Sequence, residues 1–328
     1  MKAYFLETKF LNPRLQKIYE DFFAQHGIEI EFKYWNTPEE VVAGAKDADC
    51  VFSMAIPLRR ATIEAMPNLK FIGRCGVGFD SVDLDAATEH GVVVCNVPDY
   101  CMSEVALQSL TLSLSLARQM RAMEKWARTG HFGPDYSYPV YRIQEQTYGV
   151  IGYGRIGRML CSMALGLGMK VIVNDPYVKD TGNPDIRLVS FDEMLEQADF
   201  VALHMPLTPE NYHMISYEQL KKMKRTAYLI NTSRGPMVNT EDLVRALKEG
   251  LIAGAGLDTN DPEPLPVDHE LFKMDNVIIT PHVGLYSIEA LDEMHQKLCI
   301  QSTDVLEGRW TRNIVNPQVL DKLSLVKK

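Results

Sequence analysis

Three short stretches carry side chains that could together handle an acid with a neighbouring carbonyl. Asn231-Thr232-Ser233-Arg234-Gly235 supplies a guanidinium, the run from Asp258 through Pro262-Glu263-Pro264 a carboxylate, and Thr280-Pro281-His282-Val283-Gly284 an imidazole. A guanidinium can grip a carboxylate with two hydrogen bonds and polarise the adjacent carbonyl. An imidazole can hand a proton to a developing alkoxide. A carboxylate bonded to the imidazole fixes its orientation. Each residue also has a plainer reading. Arg234 could pair with a surface carboxylate, Glu263 could be a solvated turn residue, and His282 could be a structural hydrogen-bonding group.

A fourth stretch tips the balance. Residues 147–157 read Thr-Tyr-Gly-Val-Ile-Gly-Tyr-Gly-Arg-Ile-Gly. An apolar run ends in Gly152, with Gly154 and Gly157 at the spacing G-x-G-x-x-G, and a helix-compatible segment follows. Such a turn lets a backbone approach a pyrophosphate, whose charge then faces the first amides of the helix. Alone the spacing is weak. Here a second apolar run, 170–174, ends in Asp175, about 20 residues past the glycines, where a dinucleotide site needs an acceptor for the ribose 2′-OH. No Arg or Lys adjoins Asp175 to hold a 2′-phosphate, which favours NAD over NADP. Arginine, carboxylate and histidine beside a bound nicotinamide are suited to hydride transfer to a ketone.

The elements that must carry these groups follow from the patterning. Apolar runs at 3–6, 28–35, 50–54, 69–75 and 92–96 alternate with helical stretches such as 13–25 and 84–90, and Thr37-Pro38 opens another helix. A second series of strands is expected at 148–151, 170–174, 200–205, 227–231, 251–257 and 277–280, with helices at 190–197, 217–224 and 240–249. Strands alternating with helices imply an α/β protein with doubly wound parallel sheets. Ligands in such folds bind beyond the carboxyl ends of strands, where Gly152, Asp175, Arg234, Asp258 and His282 all fall. Residues 103–128 read as one long helix and 129–140 as a loop. Residues 288–306 read as a returning helix and the chain beyond Trp310 as a tail.

Composition bounds the function class. A chain of 328 residues suggests two domains. The net charge of −9 offers no basic stripe for nucleic acid or an anionic membrane. The six cysteines show neither C-x-x-C nor metal-ligand spacing, so no metal site is expected, and buried free thiols in a reducing compartment are the reading. The N-terminal apolar run is too short for a signal peptide, and no run approaches the ~20 apolar residues of a membrane span. A cytosolic location is expected.

With these motifs in order, the chain resembles the D-isomer-specific 2-hydroxyacid dehydrogenase family over nearly its whole length. Gly76-Val77-Gly78-Phe79-Asp80, Gly152-Tyr153-Gly154-Arg155-Ile156-Gly157, His204-Met205-Pro206-Leu207-Thr208, the Asn231 stretch, Gly256-Leu257-Asp258 with Glu263, and the Thr280 stretch carry the resemblance. It implies two Rossmann-like or flavodoxin-like domains, with the nucleotide domain (102–288) inserted into a substrate domain (1–101 plus 289–328). It implies that Arg234 binds the substrate carboxylate and carbonyl oxygen, that His282 is the acid/base and that Glu263 is its partner. Gly76 and Val77 would hold the carboxylate through backbone amides, and Tyr286 would shape the substrate pocket. Gly152, Gly154, Arg155, Ile156, Gly157, Asp175, His204, Pro206, Thr232, Ser233, Asp258 and Gly284 would line the cofactor. Family members are commonly homodimers.

Two departures stand out. Family members often have Glu or Asp and then His after Val-Ala early in the first long helix, where this chain has Leu107-Gln108. The loop Ser53-Met54-Ala55 lacks the arginines of phosphoglycerate-type members, although Arg59, Arg60 and Arg74 lie nearby. The expected activity is NADH-dependent, stereospecific reduction of a small 2-oxo acid. Alternatives are a phosphoglycerate dehydrogenase and a corepressor-like NAD-binding protein on the same fold. The lack of long extensions beyond the dehydrogenase core favours the plain enzyme.

Overall fold

A computed structural model describes residues 1–326. The chain divides into two compact units, Met1–Cys101 with the chain from Ser287 on, and Met102–Tyr286. The first unit opens with β1 (Lys2–Phe5), α1 (Pro13–Ala24), β2 (Glu29–Phe32), α2 (Pro38–Gly44), β3 (Cys50–Ser53), α3 (Arg60–Glu64), β4 (Phe71–Arg74), α4 (Leu84–Glu89) and β5 (Val93–Cys95). The second unit runs through α5 (Met102–Ala117), α6 (Met120–Arg128), β6 (Thr147–Ile151), α7 (Arg155–Gly166), β7 (Lys170–Asn174), β8 (Ile186–Leu188), α8 (Phe191–Gln197), β9 (Phe200–Leu203), α9 (Tyr217–Lys222), β10 (Tyr228–Asn231), α10 (Thr240–Lys248), β11 (Gly254–Leu257) and β12 (Val277–Ile279). Helix α11 (Ile288–Leu306) belongs to the first unit again.

Both sheets pair in parallel throughout, in the orders β2-β1-β3-β4-β5 and β12-β11-β10-β9-β6-β7-β8. The first is the flavodoxin-like order. The second is the dinucleotide-fold order with one strand added, and its reversal point lies between β6 and β9. Parallel strands covered on both faces need near-continuous apolar sequence. Phe200-Val201-Ala202-Leu203 and Tyr228-Leu229-Ile230-Asn231 are buried throughout. The register Tyr148–Phe200–Tyr228 stacks three rings across β6, β9 and β10, with centroids 5.4 and 5.5 Å apart.

Local chemistry explains the helix starts. Asn12 caps α1 by accepting the Leu15 amide, and Thr37 with Glu40 closes a capping box on α2. Ser287 caps α11 through the Ala290 amide. Among the described residues, no helix is long and apolar enough to cross a membrane. All six cysteines are buried and free, and burial raises the Cys161 thiol to about 12.

The single helix expected over 103–128 is in fact two. It breaks at Arg118-Gln119, where Gln119 takes the left-handed region at φ 51°. The Gln119 amide donates to Leu116 O, and its side-chain amide donates to Tyr228 Oη at 3.0 Å. A tertiary contact from a strand more than a hundred residues away holds this break, so no local pattern announces it. The Leu/Ser alternation of α5 is helical packing: Ser113 Oγ lies 2.7 Å from the Tyr148 hydroxyl and donates to Ser109 O. The run expected as a strand over 28–35 is a continuous strand only from Glu29 to Phe32, followed by an isolated antiparallel bridge from Tyr34 to Glu7. Strand β8 adds a short element to the expected set, and the tail carries a 3₁₀ turn at Pro317–Lys322.

Candidate active site at the carboxyl edge of the second sheet

The glycine turn begins where β6 ends. Gly152 has φ 97°, and a Cβ there would sit 2.4 Å from His204 O, so only glycine fits. A Cβ at Gly157 would sit 2.0 Å from Gly152 O, which is why α7 can pack tightly against its own turn. Gly154 caps α7 with no side-chain bond, and the space where its Cβ would lie is open. The first amides of this helix therefore face outward unblocked by a cap, an arrangement suited to a phosphate. Arg155 is exposed beside them and Ile156 is half-buried. Asp175, at the end of β7, accepts the Tyr153 amide at 2.7 Å and the Tyr177 amide at 2.9 Å. Its carboxylate is thus tied to the glycine turn itself.

On the other side of the reversal point, β9, β10, β11 and β12 present their ends in a row. Ser233 Oγ donates to Leu203 O at 2.6 Å, and the Ser233 amide donates to Asn231 Oδ1 at 3.0 Å. The turn presenting Arg234 is thereby fixed to the end of β9. A Cβ at Gly235 would sit 1.8 Å from Asn260 O, so this turn lies directly against the loop that leads to Glu263. Thr240 Oγ1 donates to Asp261 O at 2.6 Å and fastens the same loop from α10.

The structure brings Glu263 and His282 together. Glu263 Oε1 lies 2.8 Å from His282 Nδ1, both side chains being partly exposed. An ionised carboxylate only accepts, so Nδ1 carries the proton toward Glu263 and Nε2 is left for a reactant. His282 has φ 55°, unusual for a residue with a side chain. Its amide donates to Asp258 O at 2.9 Å and Thr280 O at 3.0 Å, which holds it there. Asp258 is 1% exposed and accepts the Val283 amide at 3.0 Å, the Gly284 amide at 2.8 Å and the Thr280 hydroxyl at 2.5 Å. In this structure Asp258 organises the turn that carries His282. Tyr286, two residues beyond Gly284, is exposed.

The site fits a dinucleotide by a further test. His204 Nδ1, Thr232 Oγ1, Thr259 Oγ1 and Asn260 Oδ1 are buried at the ends of β9, β10 and β11 without a hydrogen-bond partner among the described residues. Orphaned polar atoms carry a desolvation penalty of about 1–3 kcal/mol each. Four of them along one sheet edge fit a ligand that supplies the missing partners. The His204 imidazole, 3.2 Å from Ser109 Oγ, is pushed down to about 4 by burial and stays neutral. It is His204's backbone carbonyl that meets the glycine turn. Pro206 is exposed, and its carbonyl accepts Asn211 Nδ2 at 2.8 Å.

In the first unit, the Gly76 amide already donates to Arg74 O at 2.9 Å, and Val77 O accepts Asn96 Nδ2 at 2.6 Å. Arg60 pairs with Glu89, and Arg59 donates to Asp80 O. Glu7 is a feature the sequence reading passed over. Only 1% exposed, its carboxylate accepts the amides of Met54, Ala55 and Ile56 at 2.6–2.7 Å and folds that loop around itself. An acidic residue directly after an apolar strand was the available signal.

The chain is similar to known proteins of one family. Residues 110–284 match the profile of the D-isomer specific 2-hydroxyacid dehydrogenase NAD binding domain. A glyoxylate reductase from Thermofilum pendens is 37% identical over 306 residues, covering 90% of each chain. A glycerate dehydrogenase from Methylorubrum extorquens is 35% identical over 322 residues, covering 96% of this chain and 98% of that one. Among solved structures, the NAD-complexed D-isomer specific 2-hydroxyacid dehydrogenase of Lactobacillus delbrueckii ssp. bulgaricus superposes with a TM-score of 0.80 at 30% identity, covering 96% of this chain and all of that one.

Proposed function

The chain belongs to the D-isomer-specific 2-hydroxyacid dehydrogenase family, and on that premise we propose that this NAD-binding oxidoreductase reduces a small 2-oxo acid to its D-2-hydroxy acid with His282 as acid/base. Bound NADH would supply the hydride. The chain's own residues would do the rest. Arg234, on a turn fixed to β9 and packed on the Asn260 loop, would grip the carboxylate and polarise the carbonyl. His282 would deliver the Nε2 proton to the oxygen as negative charge builds, while Glu263 holds the ring in one orientation. The observation that carries this reading is the Glu263–His282 pair on the strand edge that also holds the glycine turn and four orphaned polar atoms.

NAD is preferred over NADP in this reading because a carboxylate at the end of β7, Asp175, would accept the ribose 2′-OH and repel a 2′-phosphate, with Pro176 and Tyr177 rather than a cation beside it. The relatives named glyoxylate reductase and glycerate dehydrogenase make glyoxylate and hydroxypyruvate the first substrates to test. The engaged Arg59 and Arg60 speak against a phosphorylated substrate. A second copy of the chain is the partner proposed for exposed Phe132, Tyr136 and Tyr141.

The test is NADH oxidation by the purified protein across a panel of 2-oxo acids, followed by absorbance. Turnover of at least one acid is expected, together with a loss of at least about a hundredfold in His282→Gln. A protein that binds NADH yet reduces nothing in the panel would be a binding protein instead.

A further inference from the structure

Gln108 lies on α5, distant in sequence from every group assigned above, yet its side chain reaches the turn that carries His282. Gln108 Nε2 is 3.0 Å from Thr280 Oγ1, and Thr280 Oγ1 is 2.5 Å from Asp258 Oδ1. Gly284, whose amide also bonds Asp258, is packed against the same side chain. A Cβ at Gly284 would lie 2.9 Å from Asp258 Oδ2, 3.6 Å from Gln108 Cγ and 3.7 Å from Gln108 Cβ. Thus Gln108, Thr280, Asp258 and Gly284 form one cluster within the second unit.

The direction of this chain of bonds is determined. An ionised Asp258 can only accept, so the single hydroxyl proton of Thr280 points to it. Thr280 Oγ1 can then only accept from Gln108, which must turn its NH₂ group toward it. A glutamine does this at every pH at which the protein folds, because its amide does not titrate. We propose that Gln108 is a positioning residue for the reaction: it sets the direction of the Gln108–Thr280–Asp258 hydrogen bonds and so holds the 280–284 turn, with the left-handed His282, in one conformation. The catalytic part of this inference rests on the reading of His282 as acid/base. The structural part does not.

The Thr280 hydroxyl completes the three donors on Asp258, and the other two are the amides of Val283 and Gly284. If Thr280 gives its proton elsewhere, Asp258 is left buried with one donor fewer, and the turn loosens. The ionisable groups around the chain are Asp258, Glu104 one helical turn before Gln108, His204, which is bonded to the neighbouring Ser109, and His282 with its partner Glu263 on the turn itself. His204 is neutral above about 4 and does not titrate in the range used below.

Two variants test the proposal in the cofactor-free protein and in turnover. Gln108→Leu removes the donor at all pH values. Gln108→Glu replaces it with a carboxylate that competes with Asp258 for the Thr280 proton when ionised, and regains a donor when protonated. Amide hydrogen exchange of Val283 and Gly284 is measured between pH 5 and 8.5 and expressed as protection relative to the unfolded chain. Gln108→Leu is expected to lower protection about tenfold throughout. Gln108→Glu is expected to lower it by a similar factor at pH 8.5 and to restore it toward pH 5, and kcat of Gln108→Glu relative to the wild type, a ratio in which the titration of His282 cancels, should follow the same profile with little change in NADH affinity. Wild-type protection in both variants overturns the proposal, as does a loss in Gln108→Glu that acid does not reverse. Altered exchange with no turnover by the wild-type protein would support the hydrogen-bond chain and remove the dehydrogenase reading instead.

Discussion

Glu263 and His282 meet through one oxygen and one ring nitrogen, 2.8 Å apart on the exposed edge of the sheet. Surface ion pairs of this kind contribute little to stability, with a median of about 0–1 kcal/mol. The pair is therefore better understood through orientation than through folding energy. Without the Glu263 contact, the ring could rotate and present either nitrogen. Glu263→Gln keeps the size and can still bond Nδ1, but it loses the charge that selects the tautomer. It is expected to lower kcat by about tenfold to a hundredfold, within the usual range for acid–base assistance, and to leave NADH affinity nearly unchanged. Arg234→Ala should behave differently, raising KM for the oxo acid as well as lowering kcat, because its grip is on the substrate in both ground and transition states. Steady-state kinetics with a fluorescence titration of NADH separate the two. Identical effects on KM and kcat in both variants would contradict the division of roles.

Elements bring such residues together, and the tightest approach is at the end of β10. Gly235 has Asn260 O where its Cβ would be, at 1.8 Å. Gly235→Ala must push the Arg234 turn away from the Asn260-Asp261 loop that leads to Glu263. Overpacking of this kind typically destabilises by about 1–3 kcal/mol. The variant should unfold at lower denaturant and lose turnover out of proportion to its lost stability. Retained turnover in the folded variant would mean that this approach does not matter to the chemistry. The glycine turn, the Asp175 strand end and the α/β alternation were legible because each depends on neighbours in sequence: apolar runs, the Thr37 cap, and glycines at fixed spacing. Helix α11 runs over the span its pattern indicated. The break at Gln119 and the bonds of Gln108 to Thr280 were not legible, because both are contacts over more than a hundred residues. Strand β8 was not legible because exposed Arg187 splits its apolar residues, whereas the equally short β5 and β12 lie in unbroken apolar runs. In the site, the sequence could mark Asp258 as a polar group at a strand end. Its three donors appear only once β11 and β12 lie side by side.

At the scale of the whole molecule, the buried His295 and the half-buried His204 tie stability to pH. His295 on α11 is wholly buried among Phe5, Tyr19 and other apolar groups, with Nδ1 2.8 Å from the Tyr19 hydroxyl and Nε2 without a partner among the described residues. Burial, with a smaller contribution from the Arg14 cation, pushes its pKa down to about 3. His204, in the second unit, is pushed down to about 4. An unfolded histidine titrates near about 6.5. Both shifts are downward, so between those folded values and about 6.5 the unfolded chain binds protons that the folded chain refuses. Stability from these groups is fully present above about pH 6.5 and declines as pH falls. The slope is about 1.4 kcal/mol per pH unit for each histidine and levels off only as the folded state itself takes up the proton. Denaturant unfolding at pH 5, 6, 7 and 8 measures it. His295→Gln keeps a hydrogen-bonding partner for Tyr19 but removes the titrating ring. The slope between pH 5 and 6 should fall by at most about 1.4 kcal/mol per pH unit, the share of this ring, while His204 and the carboxylates with lowered pKa, such as Asp49 and Glu307, supply the rest. A wild-type slope in His295→Gln would show that this ring is protonated in the folded protein after all.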